Sequence, residues 1–148
     1  MQPYITAVEG DTYFSTRLNT DVWDDSSTAE KEAAIFMSTD AIDRLNYLGS
    51  KTDDSQENQF PRDDDTVVPQ DIKDATAELA QRLLDGVDPE LEFENLGMVS
   101  QGYANVRSTY DRSRTSEHIA AGIPSITAWR KIRPYLRDPR GLELTRVS

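Results

Sequence analysis

The strongest constraint on the fold is a set of apolar residues that recur every three or four positions between Ser27 and Gly49. The set comprises Ala34, Met37, Ala41, Leu45 and Leu48. Ser27 and Glu30 have the spacing of a capping box, and Gly49 is typical of a helix C-terminus. The pattern therefore predicts a helix from residue 28 to about Tyr47, with an apolar stripe that another element has to cover.

Two further main helices are predicted on either side of this one. Thr6 and Glu9 repeat the capping-box spacing and favour a short helix near residues 7–18. Pro69 suits the first turn of a later helix, and Gly86 suits its end. Three helices of this kind are enough for a small bundle with one shared core.

The segments between the predicted helices contain two large aromatic residues. Trp23 lies between the first two helices, where a tryptophan is usually buried, so we expect it to fill part of the core. Residues 50–68 show no period and read as a long loop. Phe60 and Pro61 interrupt its polar composition, and we expect them to pin the loop to the body.

The hydrophobic period changes after residue 96. Residues 97–110 alternate in a way that suits extended chain, and they predict a short β-hairpin. The alternating residues are Val99, Gln101, Tyr103, Val106, Ser108 and Tyr110. The turn is expected at Gly102 or at Ala104-Asn105. The edges of such a hairpin would be open to strands of another subunit.

The C-terminal part is predicted to be an extended arm that carries one helix. This helix contains Trp129 and ends near Pro134, and residues 141–148 form an extended tail. The predicted fold class is mainly α, a small bundle of three main helices with a short β-hairpin and this arm. Residues 1–96 would form an acidic helical body, and residues 97–148 the hairpin and a basic docking arm.

Charge is divided very unevenly along the chain. The net charge is −11, yet residues 107–148 hold nine Arg or Lys against four acidic residues, a net of +5. The other 106 residues carry 7 basic and 23 acidic groups, a net of −16. One interpretation is a solvated acidic surface with a basic tail. The other is a bipolar subunit whose basic end docks on the acidic surface of a neighbouring copy.

Few residue types that support catalysis are present. The chain has no cysteine, and His118 is its single histidine. Neither a phosphate-binding glycine loop nor a nucleophile elbow occurs. The acidic runs at residues 53–54 and 63–65 lack the ligand spacing of a calcium loop, and we expect them to be solvated. The sequence therefore predicts a protein that is not an enzyme and holds no cofactor or metal.

The N-terminal residues also bear on localisation. Residues 1–4 do not resemble a signal peptide, and no stretch approaches the roughly 18 apolar residues of a membrane span. We expect a soluble protein that is made in a cytoplasm and has no membrane partner.

Arginine and aromatic residues are interleaved in the basic C-terminal region. The candidate interface residues are Arg107, Tyr110, Arg112, Arg114, Trp129, Arg130, Arg133, Tyr135, Arg137 and Arg140. These residue types are the preferred anchors of protein interfaces. The same combination also binds single-stranded nucleic acid, by stacking on bases and pairing with phosphates. The net charge of −11 favours the protein interface, because it repels a polyanion at long range.

Several short motifs, in their order along the chain, resemble those of tailed-phage head–tail connector proteins. They are Tyr4-Ile5-Thr6, Tyr13-Phe14, Trp23, Ala41-Ile42-Asp43-Arg44-Leu45, Phe60-Pro61-Arg62, Val68-Pro69-Gln70-Asp71-Ile72-Lys73 and the region from Gly97 to Tyr110. Similar sequences are often labelled DnaT-like single-stranded-DNA-binding proteins. The resemblance thus implies one of two functions, a structural adaptor or, alternatively, a single-stranded-DNA-binding protein of phage replication.

The adaptor interpretation implies a specific assembly. The chain would form a ring, commonly a dodecamer, beneath the portal protein, in the neck of the virion after assembly in the host cytoplasm. Its partners would be the portal, neighbouring adaptor subunits and a downstream neck or tail-terminator protein. DNA would pass through the channel without sequence-specific binding, and the C-terminal arm would contact the portal or a neighbour.

Overall fold

The structure is a computed structural model that describes residues 1–104 and 117–137. Seven α-helices lie in these two ranges: α1 (Ala7–Phe14), α2 (Asp21–Asp25), α3 (Thr28–Asp43), α4 (Gln70–Leu84), α5 (Pro89–Ala104), α6 (Glu117–Ala120) and α7 (Ile126–Ile132). A 3-10 turn, Arg133–Tyr135, follows α7. The prediction of a mainly helical fold is confirmed.

Both predicted capping boxes are present at the helix starts. The Thr6 hydroxyl accepts a hydrogen bond from the backbone N–H of Glu9 at 3.1 Å, and the Glu9 carboxylate accepts one from the N–H of Thr6 at 2.9 Å. Ser27 and Glu30 make the same reciprocal pair at 3.1 and 2.8 Å. Each pair satisfies two backbone donors that a helix start leaves without an intrahelical partner.

Helices α1 and α3 end earlier than predicted. Helix α3 stops at Asp43, and the chain then turns so that Tyr47 enters the core and donates its hydroxyl hydrogen to the Ile42 carbonyl at 2.7 Å. Helix α1 stops at Phe14, and Asn19 then adopts a positive φ of 60°. At the end of α3, burial of the Tyr47 side chain takes precedence over continuation of the helical period.

Helix α4 is the central helix of the described residues, because it packs against α1, α2, α3 and α7 and contributes to both hydrophobic clusters. The first cluster comprises Tyr4, Ile42, Tyr47, Phe60, Ile72, Ala75, Leu79, Ile123, Ala128, Trp129, Ile132 and Leu136. The second cluster comprises Ile5, Phe14, Trp23, Ala34, Ile35, Ala77 and Ala80. Helices α1 to α3 cover one side of α4, and α7 covers another.

The helix of the predicted C-terminal arm is part of the core. Ala128, Trp129 and Ile132 of α7 are buried in the first cluster together with α4. Beyond α7, Leu136 forms an isolated antiparallel bridge with Tyr47. The division at residue 96 stays a prediction, but the segment 123–136 shares one hydrophobic cluster with the N-terminal residues.

The predicted β-hairpin is wrong for the residues that the structure describes. Residues 97–104 continue α5, and residues 105–110 lie outside the described ranges. Asp88 starts this helix by accepting a hydrogen bond from the N–H of Glu90 at 3.0 Å, and Pro89 suits its first turn. Once a helix has started, each added residue gains a backbone hydrogen bond, which explains why a short alternating pattern did not end it.

The long loop is fastened to the body, as predicted from Phe60. The Phe60 ring lies 4.6 Å from that of Tyr47 and 5.9 Å from that of Tyr135, between ring centroids. Arg62 adds polar contacts, since its guanidinium donates to the carbonyl oxygens of Leu48, Gly49 and Gln59 at 2.7 to 3.1 Å. These contacts order a segment that has no helix of its own.

Trp23 lies fully buried in α2, which confirms its predicted place in the core. Its indole N–H donates to Asp11 at 2.8 Å, and Asp11 also pairs with Lys31 at 2.9 Å. The ring lies directly against the backbone of Gly10, where an ideal Cβ would come within 2.4 Å of Cζ2 of Trp23. Only glycine fits at this position of α1 without displacing the indole.

We therefore expect Gly10→Ala to destabilise the protein. Overpacking of a buried ring costs about 1–3 kcal/mol, which outweighs the gain of up to about 1 kcal/mol from replacing a helical glycine. Urea unfolding followed by circular dichroism measures the difference. Val8→Ala, at an exposed position of the same helix, is the matched control. Equal unfolding midpoints for the two variants would show that the indole moves aside at no cost.

Candidate functional site

The structure describes five of the ten candidate interface residues. These are Trp129, Arg130, Arg133, Tyr135 and Arg137. The other five, Arg107, Tyr110, Arg112, Arg114 and Arg140, lie outside the described ranges, and their role stays a prediction. The five described residues share one continuous segment that includes α7 and the turn after it.

Trp129 belongs to the core and not to the surface. Its side chain is 4% exposed and packs in the first cluster. Its indole N–H donates to Oε1 of Glu117 at 3.2 Å. A ring buried in this way offers no free face to a base or to another protein. Trp129 instead packs α7 against the core, beneath the neighbouring arginines.

Arg130, Arg133 and Arg137 are exposed on the outside of this segment, and Lys131 is half-buried beside them. Arg82 of α4 lies next to the start of α7, because its Nε donates to the Pro124 carbonyl at 3.4 Å. We call Arg82, Arg130, Lys131, Arg133 and Arg137 the basic surface. Sequence reasoning missed Arg82, because only a contact between residues 42 positions apart places it here.

Apart from Arg82, residues 1–104 contain six Lys and Arg side chains, and each of them contacts another group of the chain. Lys31, Arg44 and Lys73 pair with Asp11, Asp40 and Glu9, Lys51 and Arg62 donate to backbone carbonyls, and Arg17 lies over the ring of Tyr13. Within the described ranges, Arg130, Lys131 and Arg137 make no ion pair. Among the described residues, the cations without such a partner therefore all belong to the basic surface.

One carboxylate is embedded in the basic surface. Oε1 of Glu117 accepts the indole N–H of Trp129 and also Nε of Arg133, the latter at 3.0 Å. The Glu117 side chain is 17% exposed, and that of Arg133 is 50% exposed. A partly desolvated carboxylate holds an arginine more firmly than an exposed one does. Glu117 thus fixes the direction of Arg133 and neutralises part of its charge.

Two titratable side chains near the basic surface add no charge to it at neutral pH. Burial lowers the pKa of His118, so its imidazole stays neutral. Burial and the neighbouring Asp71 raise the pKa of Tyr135, whose hydroxyl donates to Asp71 at 3.2 Å. The Tyr135 ring is half-buried against Phe60, so only part of it faces solvent.

The described residues contain neither a metal-binding cluster nor a membrane-spanning helix. No group of three or more acidic or histidine side chains there is arranged to hold a metal ion. Among the described helices, none combines the length and the apolar character that a bilayer crossing needs.

Comparison with known proteins identifies a family. A family model described as "Putative DnaT-like ssDNA binding protein" matches residues 2–139. Neither a curated protein nor a solved structure matches the chain. The match contradicts the prediction of a structural head–tail adaptor, because the matched family is described as one of single-stranded-DNA-binding proteins. No comparison tests the predicted portal, neck-protein and ring partners or the predicted location in the virion neck, and these stay predictions from the sequence.

The two roles within α7 can be separated by substitution. We expect Trp129→Ala to destabilise the fold by about 3–5 kcal/mol, because it leaves a cavity in the first cluster and removes a hydrogen bond from Glu117. Arg130→Ala, at the next position but exposed, should change stability by no more than about 0.5 kcal/mol. Urea unfolding measures both, and similar values for the two variants would contradict the buried position of Trp129.

Proposed function

Since the chain belongs to the family of DnaT-like single-stranded-DNA-binding proteins, we propose that it binds single-stranded DNA along the basic surface. The observation that carries this proposal is the contrast between the cations of residues 1–104 and those of the segment 130–137. The cations of residues 1–104 contact carboxylates, carbonyl oxygens or an aromatic ring within the chain. In contrast, Arg130, Lys131 and Arg137 make no ion pair within the described ranges. Phosphate groups are natural partners for cations presented in this way.

The proposed contacts are mainly electrostatic. Arginine side chains bind phosphate oxygens with two N–H groups at once, and they do so without reading the base. Residues 1–106 carry a net charge of −16, so they repel the strand and favour its contact with the basic surface. Binding of this kind is independent of sequence and weakens steeply with salt, because each phosphate contact releases a counterion.

Base stacking has a smaller part in the proposal than the sequence suggested. Trp129 is buried, and Tyr135 presents only part of its ring. Of the candidate aromatic residues, Tyr110 lies outside the described ranges, and its stacking role stays a prediction from the sequence. The proposed activity is binding alone, and it requires no catalytic group or cofactor.

Charge reversal on the basic surface tests the proposal. The double variant Arg130→Glu and Arg137→Glu should bind a fluorescein-labelled oligo-dT about tenfold or more weakly than the unaltered protein. Losing two phosphate contacts should also make the plot of log K against log salt less steep, so that the magnitude of its negative slope falls by about 1.4. Fluorescence anisotropy at several salt concentrations between about 50 and about 200 mM measures both quantities.

The control is Arg17→Glu, which reverses the charge of one arginine at an exposed position of the acidic body. It should bind the oligonucleotide nearly as well as the unaltered protein. Absence of binding by the unaltered protein at the lowest salt concentration would refute the proposed function. An equal loss in the control would refute the assignment to the basic surface.

Glu117 should weaken binding, because it occupies Arg133. Glu117→Gln keeps an oxygen that can accept from Trp129 and Arg133, but it removes the negative charge. We expect this variant to bind the oligonucleotide about two- to fivefold more tightly, with a steeper salt slope. Asp25→Asn, which removes an exposed charge from α2, is the control for the change in net charge. If both variants gain the same affinity, the Glu117 contact has no specific effect.

A further inference from the structure

A small open cavity lies beside the basic surface, between the long loop, the start of α4 and the turn after α7. Its volume is about 190 Å³. Apolar and aromatic side chains share its lining with charged ones, and the lining includes Pro69, Pro134, Tyr135, Arg62, Asp63 and Asp65. A cavity of about 150 Å³ can hold a benzene ring, so this one has room for a planar base.

The cavity is joined to the basic surface by the chain itself. Pro134 and Tyr135, which line the cavity, lie between Arg133 and Arg137 of the basic surface. Consecutive Cα atoms are about 3.8 Å apart, so the Cα atom of each arginine lies within about 8 Å of the Cα atom of a lining residue. The two arginines can therefore hold phosphates of a strand while one base of that strand enters the cavity.

The hydrogen-bonding groups that the cavity leaves available are acceptors. The Arg62 guanidinium already donates to three backbone carbonyl oxygens, and the Tyr135 hydroxyl donates to Asp71 at 3.2 Å. One oxygen of the Asp63 carboxylate accepts a backbone N–H at 3.1 Å. Among the described residues, the Asp65 carboxylate accepts no hydrogen bond and makes no ion pair, so both of its oxygens can accept from a ligand.

We propose that this cavity takes up one base of the bound strand and prefers guanine, whose Watson–Crick edge donates to the Asp65 carboxylate. Guanine presents two adjacent donors on that edge, N1–H and the 2-amino group, which match the two oxygens of a carboxylate. Adenine and cytosine place an acceptor nitrogen beside their amino group, and thymine has carbonyl oxygens on both sides of its N–H, so each repels one carboxylate oxygen. Unstacked bases are commonly read on this edge while they pack against aromatic or apolar side chains.

The charges around the cavity favour a nucleotide in one orientation. Arg133 and Arg137 lie on the side of the turn after α7, where they attract the phosphate, and Asp63 and Asp65 lie on the side of the loop, where they repel it. A guanine nucleotide has the same polarity, with an anionic phosphate at one end and hydrogen-bond donors at the other. The inference rests on the proposed function, and it adds one base contact to phosphate contacts that do not depend on sequence.

A single base change in the oligonucleotide tests the preference. The shortest oligo-dT that binds should gain about fivefold or more in affinity when its central dT is replaced by dG, as measured by fluorescence anisotropy. Deoxyinosine at the same place lacks the 2-amino group and should lose most of this gain. Equal affinities for the dG and dT oligonucleotides, with the salt dependence intact, would overturn this inference and leave the proposed function standing. Absence of binding to both would overturn the two together.

Asp65→Asn links the preference to the cavity. The variant keeps the size of the side chain but replaces one acceptor oxygen with a donor, so the dG and dT oligonucleotides should bind it equally. Asp64→Asn is the matched control, because it removes the same charge from an exposed neighbour that does not line the cavity, and asparagine tolerates the positive φ of 70° found there. This control should keep the ratio of the two affinities. A ratio that survives Asp65→Asn, or is lost equally in Asp64→Asn, would overturn the assignment to the cavity.

Discussion

Burial of α4 on two sides is the constraint on which the rest of the structure depends. Ile72, Ala75 and Leu79 face the first cluster, while Ala77 and Ala80 face the second. Ala77 and Ala80 pack with residues of α1, α2 and α3 in the second cluster, and Ile72 and Leu79 pack with Trp129 and Ile132 of α7 in the first. A single helix thereby joins segments from the two ends of the chain into one core.

The same packing determines which charges are available to a ligand. Because Trp129 and Ile132 are drawn into the core, the residues between and after them are turned outwards, and these are Arg130, Lys131 and Arg133. Glu117 is the one acidic side chain seen to pair with this group among the described residues. The basic surface is thus a consequence of how α7 is anchored, and its arginines owe their exposure to the burial of the tryptophan beside them.

Local signals predicted the fold well, and long-range contacts explain what they missed. The capping boxes at Thr6 and Ser27 fix helix starts within a few residues, so they can be read directly from the sequence. The alternation after residue 96 gave the wrong answer, because a pattern of a few residues cannot reveal that a helix has already started at Pro89. Trp129 looked like an interface residue, since residue type does not distinguish a buried indole from an exposed one. Arg82 joins the basic surface through tertiary packing alone.

The aromatic contacts of Phe60 have a consequence for the order of events during synthesis. Its ring meets Tyr4 and Tyr47, which leave the ribosome early, and Tyr135, which leaves much later. The first cluster cannot close until this last partner has emerged. A nascent chain that ends before Tyr135 therefore keeps part of the Phe60 ring and the apolar face of α4 accessible to chaperones, although its N-terminal helices can already form.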